Sequence, residues 1–286
     1  MELVDLFKSL LIFRVSILFV IGLCIGSFLN VVIYRLPIML NNIWKKECQE
    51  FLDDTITIES EKLNLSFPSS HCPSCKADIP YWSNIPIIGF LILRGKCYKC
   101  KVSIPIRYPL VELFTGAIFA CVGYVHNELV LIMFALIFFS CLIALIFIDF
   151  DTYLLPDELT LPLIWVGLLA NLHGAFSGSL ELAVFGAIVG YMSLWSIYWV
   201  FKLITGKDGM GYGDFKLLAA IGAFLGVTYL CSVLIFASFL GIAYTLCLRM
   251  IGKIEKGAAI PFGPFLGVGA ILTFFCGNYI LRLFLL

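Results

Sequence analysis

Two aspartates stand at the ends of two different apolar runs. Asp149 closes the run 138–148, and Asp214 precedes the run 217–227, directly behind Gly211-Tyr212-Gly213. A carboxylate at a membrane span costs roughly 2.5–3.5 kcal/mol on insertion scales, which makes a functional role its first reading. Two carboxylates held close together cannot both ionise easily, so one keeps a proton. The ionised one can then take a proton from water while the protonated one polarises a peptide carbonyl. That is aspartyl-protease chemistry, and it needs neither a metal nor a covalent intermediate.

The neighbours of each aspartate fit this reading to different degrees. The turn after Asp149 also carries Asp151, Asp157 and Glu158, with no basic residue among them. Asp157 follows Pro156 and reads as a helix N-cap. Asp151 lies two positions past Asp149 and would face away from it on a helix. On the other side, Gly209, Gly211 and Gly213 let backbone or substrate approach closely. Irregular backbone at membrane depth persists only where protein or water covers it. Alone, that loop is an ordinary turn with Asp214 as an N-cap; the pairing with Asp149 is what argues for a dyad.

A second chemistry is spelled by cysteine. Cys72 and Cys75 form one C-x2-C pair, and Cys97 and Cys100 form another after a gap of 21 residues. Two such pairs can give four thiolates to a tetrahedral zinc, although the gap is slightly longer than in a usual zinc ribbon. A module of about 35 residues has little core of its own, so a metal would help it fold. Two disulfides or a redox pair are the competing readings, and a reducing compartment disfavours disulfides. A four-cysteine site has no open position for catalysis. The other cysteines, Cys24, Cys48, Cys121, Cys141, Cys231, Cys247 and Cys276, read mostly as small apolar packing residues.

Helices must position these groups. The 286 residues are 61% hydrophobic and 13% charged with zero net charge, where a soluble domain would carry about 25% charge. The expectation is an all-α polytopic membrane protein of about eight transmembrane helices, near 11–34, 108–126, 129–149, 158–174, 181–202, 214–227, 229–249 and 260–284. The pattern of a membrane β-barrel is missing. No cleavable signal peptide is evident. No basic, aromatic-interleaved patch suggests a nucleic-acid partner.

Lys and Arg crowd into 35–107, 202–216 and 249–257, while the connections near 127, 175–180 and 228 have none. By the positive-inside rule the basic loops are cytoplasmic and both termini lie outside. Lys8 and Arg14 dissent. The same topology puts Asp149 and Asp214 on the cytoplasmic side. The chain thus divides into a first transmembrane helix, 1–34, a cytoplasmic insert with the cysteine site, 35–107, and a transmembrane peptidase bundle, 108–286. The polar stretch 41–66 reads as a short amphipathic helix or an excursion. No internal repeat is evident.

Several blocks in order carry a family likeness. They are residues 26–37, His71-Cys72-Pro73-Ser74-Cys75, Asn84-Ile85-Pro86, 93–97 and 107–112. Asp149 with Leu155-Pro156-Asp157 and then residues 211–217 complete the set. The chain resembles the bacterial type IV prepilin peptidases, or leader peptidase/N-methyltransferases. Its Gly-x-Gly-Asp block is also similar to that of presenilin-type intramembrane aspartyl proteases. The resemblance implies a bacterial inner-membrane enzyme that removes the basic leader of prepilins and type II secretion pseudopilins. The cut would fall after a glycine at the cytoplasmic face, and the new N-terminus would then be methylated with S-adenosylmethionine. Methylation rests on the resemblance alone, since no glycine-rich nucleotide motif is present.

The same resemblance makes Asp149 and Asp214 catalytic, with Gly211, Gly213, Glu112 and Lys216 in support. Glu112 also reads as a structural partner for Arg107, and Lys216 as a group that tunes the aspartates or meets lipid headgroups. Gly89 departs from the pattern, standing where a serine is expected, and the segment 38–66 is a variable one. A rival class is an ion or proton transporter using the same intramembrane carboxylates. Against it, both acids lie near one face and no repeat pairs the two halves.

Overall fold

The computed structural model describes residues 7, 10–52, 63–176, 179–253 and 260–284. Lys8, Lys256 and part of the polar stretch, 53–62, lie outside the described residues. The fold is all helical. Among the described residues there is no strand, only two isolated bridges. Nine α-helices are described, and the chain divides into two compact units, Met1–Asn127 and Glu128–Leu286.

In the first unit, helix α1 (Leu11–Leu52) is followed by the short α2 (Ile88–Ile92) and pairs with α3 (Arg107–Val125). The first span was expected to end near residue 34, yet α1 continues through Pro37 to Leu52. Its 42 residues extend about 63 Å, twice a hydrocarbon core of about 30 Å. Residues 41–52 are therefore the polar tail of α1, carrying an exposed Lys46–Glu50 pair at 3.7 Å.

Small residues let α1 and α3 approach closely. A Cβ on Gly22 would lie 2.7 Å from the Gly116 Cα, and one on Gly26 would lie 2.7 Å from the Glu112 Cα. The buried Arg14 donates from Nε to the Gly123 carbonyl at 2.7 Å. That carbonyl belongs to the last turn of α3, which has no intrahelical donors left. The charge that dissented from the topology thus has a structural use.

The insert contains a repeat that the sequence reading missed. Cys72-Pro-Ser-Cys75-Lys76-Ala77-Asp78-Ile79-Pro80 and Cys97-Tyr-Lys-Cys100-Lys101-Val102-Ser103-Ile104-Pro105 fold alike. Cys72 N–H bonds the Ala77 carbonyl as Cys97 N–H bonds that of Val102, and Lys76 and Lys101 close the turns with φ of 55° and 61°. The bridge His71–Asp78 corresponds to Lys96–Ser103. Only nine residues long, the unit is too short to stand out against the spans.

The second unit holds α4 (Leu129–Thr152), α5 (Asp157–Leu172), α6 (Leu180–Thr205), α7 (Tyr212–Leu225), α8 (Leu230–Met250) and α9 (Gly263–Phe284). Counting α1 and α3, eight helices stand at the eight expected hydrophobic runs. Five, namely α1, α3, α4, α6 and α8, are long and apolar enough to cross a membrane, so the protein is a multi-pass membrane protein. Eight complete crossings do not follow from helix lengths. Helix α5 has 16 residues and α7 has 14, about 24 and 21 Å of rise.

Helix α7 is the centre of this unit, packing on α5, α6, α8 and α9, and every residue from Leu217 to Leu225 is buried. A helix apolar all round is a core helix. Gly186 of α6 and Gly222 of α7 meet backbone to backbone, and a Cβ on Gly190 would lie 2.7 Å from the Leu218 carbonyl oxygen. Where α7 ends, Asn171 Nδ2 donates to the carbonyls of Ala223 and Phe224 at 2.8 and 2.9 Å. Those orphan carbonyls would otherwise be costly in an apolar interior.

Candidate active site and metal centre

Helix α4 ends just past Asp149. Tyr153 turns left-handed (φ 56°) and its N–H returns to the Asp149 carbonyl at 2.9 Å. This places Asp149 in the last turn, with 5% of its surface exposed. Asp214 is also buried, at 7%. It is not an N-cap. Gly211 occupies that position, and Asp214, three residues on, takes the Gly211 N–H on its carboxylate as in half of a capping box.

The two carboxylates are close enough for their charges to act on one another. Leu155 packs beside both, against Gly213 and Gly263, where Cβ atoms would lie 2.7 Å from Leu155 Cβ and 3.2 Å from its Cδ1. The structure therefore brings Asp149, Asp214, Gly211 and Gly213 together in one unit. Asp151, by contrast, is exposed.

Lys216 binds both oxygens of Asp157 at 2.7 Å. This corrects the N-cap reading of Asp157, which is the first residue of α5 and makes no cap hydrogen bond with Pro156 ahead of it. The pair ties the first turn of α5 to the start of the second turn of α7. The glycine loop is fastened at its other end: Asp208 takes Lys202 Nζ at 2.8 Å and the Tyr198 hydroxyl at 2.6 Å. The rings of Tyr198, Tyr212 and Phe215 cluster nearby in tilted and edge-to-face contacts, with centroids 5.4–5.7 Å apart. The sequence reading named Leu155 only as part of the block with Pro156 and Asp157, and it missed Tyr198, Lys202 and Gly263 as neighbours of the site. Only Gly263, set between Pro261 and Pro264, carried a visible signal.

Glu112 is engaged within the first unit. It accepts the Ile87 N–H at 2.7 Å and the Ser27 hydroxyl. It thereby pins the loop after Asn84-Ile85-Pro86 to α1 and α3. Ile87 takes the left-handed side of φ (59°) to make that contact. Gly89 presses directly on the Ser83 carbonyl, so a serine there would need a different local path.

The four thiol sulfurs of Cys72, Cys75, Cys97 and Cys100 lie within 4.8 Å of one another and can hold a metal ion. Two of the separations are 3.7 and 4.0 Å. A tetrahedron with metal–sulfur bonds of about 2.3 Å has edges of about 3.8 Å. Backbone N–H groups of Cys100 and Lys99 pull the Cys97 thiol down to about 6, while burial and the neighbouring thiols push Cys100 up to about 11, so Cys97 is the first of this pair to become a thiolate. Six of the other seven cysteines are exposed and Cys141 is half-buried, so those read as small apolar packing residues lie mostly on outward faces and not inside the protein. Their small, weakly polar side chains are tolerated on outward helix faces.

Comparison with known proteins agrees with this architecture. Residues 20–126 match the bacterial peptidase A24 N-terminal domain, and residues 136–246 match the type IV leader peptidase family. The chain is 45% identical over 271 residues to a prepilin leader peptidase/N-methyltransferase of Neisseria gonorrhoeae, covering 94% of this chain and 93% of that protein. A protein of the same name from Stutzerimonas stutzeri is 47% identical, covering 91% and 90%. One from Pseudomonas aeruginosa is 44% identical, covering 93% and 91%. No solved structure matches. With both family models satisfied and identity carried over nine-tenths of its length, the chain belongs to the type IV leader peptidase family.

Proposed function

We propose that the chain is a prepilin leader peptidase and N-methyltransferase, with Asp149 and Asp214 as its catalytic dyad. The observation that carries this is the pair of buried, mutually interacting carboxylates within the segment matching the leader peptidase family. One carboxylate takes a proton from water as the water attacks the scissile carbonyl. The other, protonated, donates to the carbonyl oxygen, and the proton then passes to the leaving amine. Gly211 and Gly213 keep the loop slim enough for an extended substrate, and Lys216 steadies it through Asp157.

The substrates are prepilins and pseudopilins, cut after a glycine at the end of their basic leader. Both aspartates lie at one end of the second unit, together with Lys202, Lys207, Lys216, Arg249 and Lys253. That end faces the cytoplasm of a bacterial inner membrane by the positive-inside rule. Carboxylates at helix ends suit a peptidase better than a midplane ion site. The division into 1–34, 35–107 and 108–286 is the corresponding domain assignment.

Zinc is the metal that fits Cys72, Cys75, Cys97 and Cys100, and its role there is structural. S-adenosylmethionine supplies the methyl group by family relation.

The test is incubation of the purified protein with a prepilin and S-adenosylmethionine, followed by mass spectrometry. The expected product has lost its leader at the glycine and gained one methyl on the new N-terminus. An intact prepilin would reject the peptidase reading, and an unmethylated product would reject the second activity.

A further inference from the structure

The first turn of α9 stands against Asp149, and nothing in the dyad chemistry explains it. Gly263 opens α9, and its N–H is directed at the Asp149 carboxylate. The rest of that turn offers no alternative donor. Pro264 has no N–H, and those of Phe265 and Leu266 both return to the Phe262 carbonyl. An added Cβ on Gly263 would lie 2.5 Å from Asp149 Oδ2, so the carboxylate fills the place of a side chain. Oδ2 is buried and has no hydrogen-bond partner among the described residues.

The helix cannot drift to relieve such a clash. One turn on, Gly267 presses directly on Ile146 of α4. On the side of α8, a Cβ on Gly269 would lie 2.7 Å from the Val233 carbonyl oxygen. Phe139 of α4 and Phe274 of α9 meet edge to face at 5.0 Å.

Electrostatics point the same way. Asp149 sits in the last turn of α4, the negative end of that helix, where an anion is disfavoured. Asp214 sits in the first turn of its own helix, at a positive end. The N-terminus of α9 gives Asp149 the positive end that its own helix cannot supply.

On the dyad reading above, we propose that Gly263 is a positioning residue of the peptidase site. Its N–H and its missing side chain hold the Asp149 carboxylate in line with Asp214, making α9 the third element of the site.

The test uses the full-length protein in detergent with Gly263→Ala, Asp149→Ala and the double variant, each measured by thermal unfolding. Gly263→Ala should lower the midpoint by several degrees when Asp149 is present, and by little when residue 149 is already alanine. In cleavage assays Gly263→Ala should reduce kcat about 100-fold with KM nearly unchanged, the cost of an ångström-scale misplacement. Equal losses in both backgrounds would assign Gly263 to packing against Leu155 and overturn the proposal, as would normal cleavage by Gly263→Ala. If Gly263→Ala alone does not fold, recovery in the double variant supports the proposal, and failure of both overturns it. Failure of the dyad reading would look different: Asp149→Asn itself would retain cleavage.

Discussion

The insert and the bundle solve the same problem, holding a few reactive side chains in place, by opposite means. Among the described residues between 63 and 106, only Cys72, Gly89 and Cys97 are buried. Two of those three are thiols of the tetrad. Hydrophobic burial therefore contributes little there, and the ligands themselves take the place of a core. In the bundle, residues 217–225 are buried without a break and Asp214 stands three residues ahead of them. Position is set there by glycine contacts between helices and by Asn171 at the end of α7. One region carries four thiols able to hold an ion and almost no core, the other a packed core, and they should respond to different perturbations.

The largest effect should come from separating α6 and α7. Gly186→Leu drives a side chain into the Gly222 backbone, and overpacking of this kind costs about 1–3 kcal/mol or more. The expected outcome is loss of folded protein by size-exclusion chromatography, together with loss of cleavage. Next comes metal removal. A strong chelator, or Cys97→Ser, should expose the segment 63–106 to limited proteolysis and leave the bundle fragment resistant. Simultaneous loss of both regions would erase the contrast. Smallest is Asn171→Leu, which deprives two carbonyls of a donor at a cost of about 1–2 kcal/mol. Its unfolding midpoint should fall modestly while cleavage at low temperature persists, and an intact midpoint would show that the cap is dispensable.

Legibility differed between the regions as well. The cysteine tetrad was readable because metal ligation imposes fixed spacing along the chain. Asp149 and Asp214 were readable because a carboxylate stands out against apolar sequence. Helix positions followed from hydropathy, but the length of α1 did not. The apolar run ends at Arg35, but helix-forming residues beyond it carry α1 through Pro37 to Leu52. The exchange of Asp157 from cap to partner of Lys216 joins residues 59 positions apart. Gly263 matters through its contact with Asp149 on another helix, and its flanking prolines mark a turn but not that partner. Apolar sequence leaves no periodic trace of such contacts, because all faces of the helices are hydrophobic.

The most direct measurement of the central claim is cleavage of a prepilin in membranes by the wild type, Asp149→Asn and Asp214→Asn, with insertion and folding checked for each. Asparagine keeps the shape and removes the acid, so both variants should lose at least about 100-fold in rate, the usual scale of a general acid or base. Near-normal cleavage by either one would contradict the dyad.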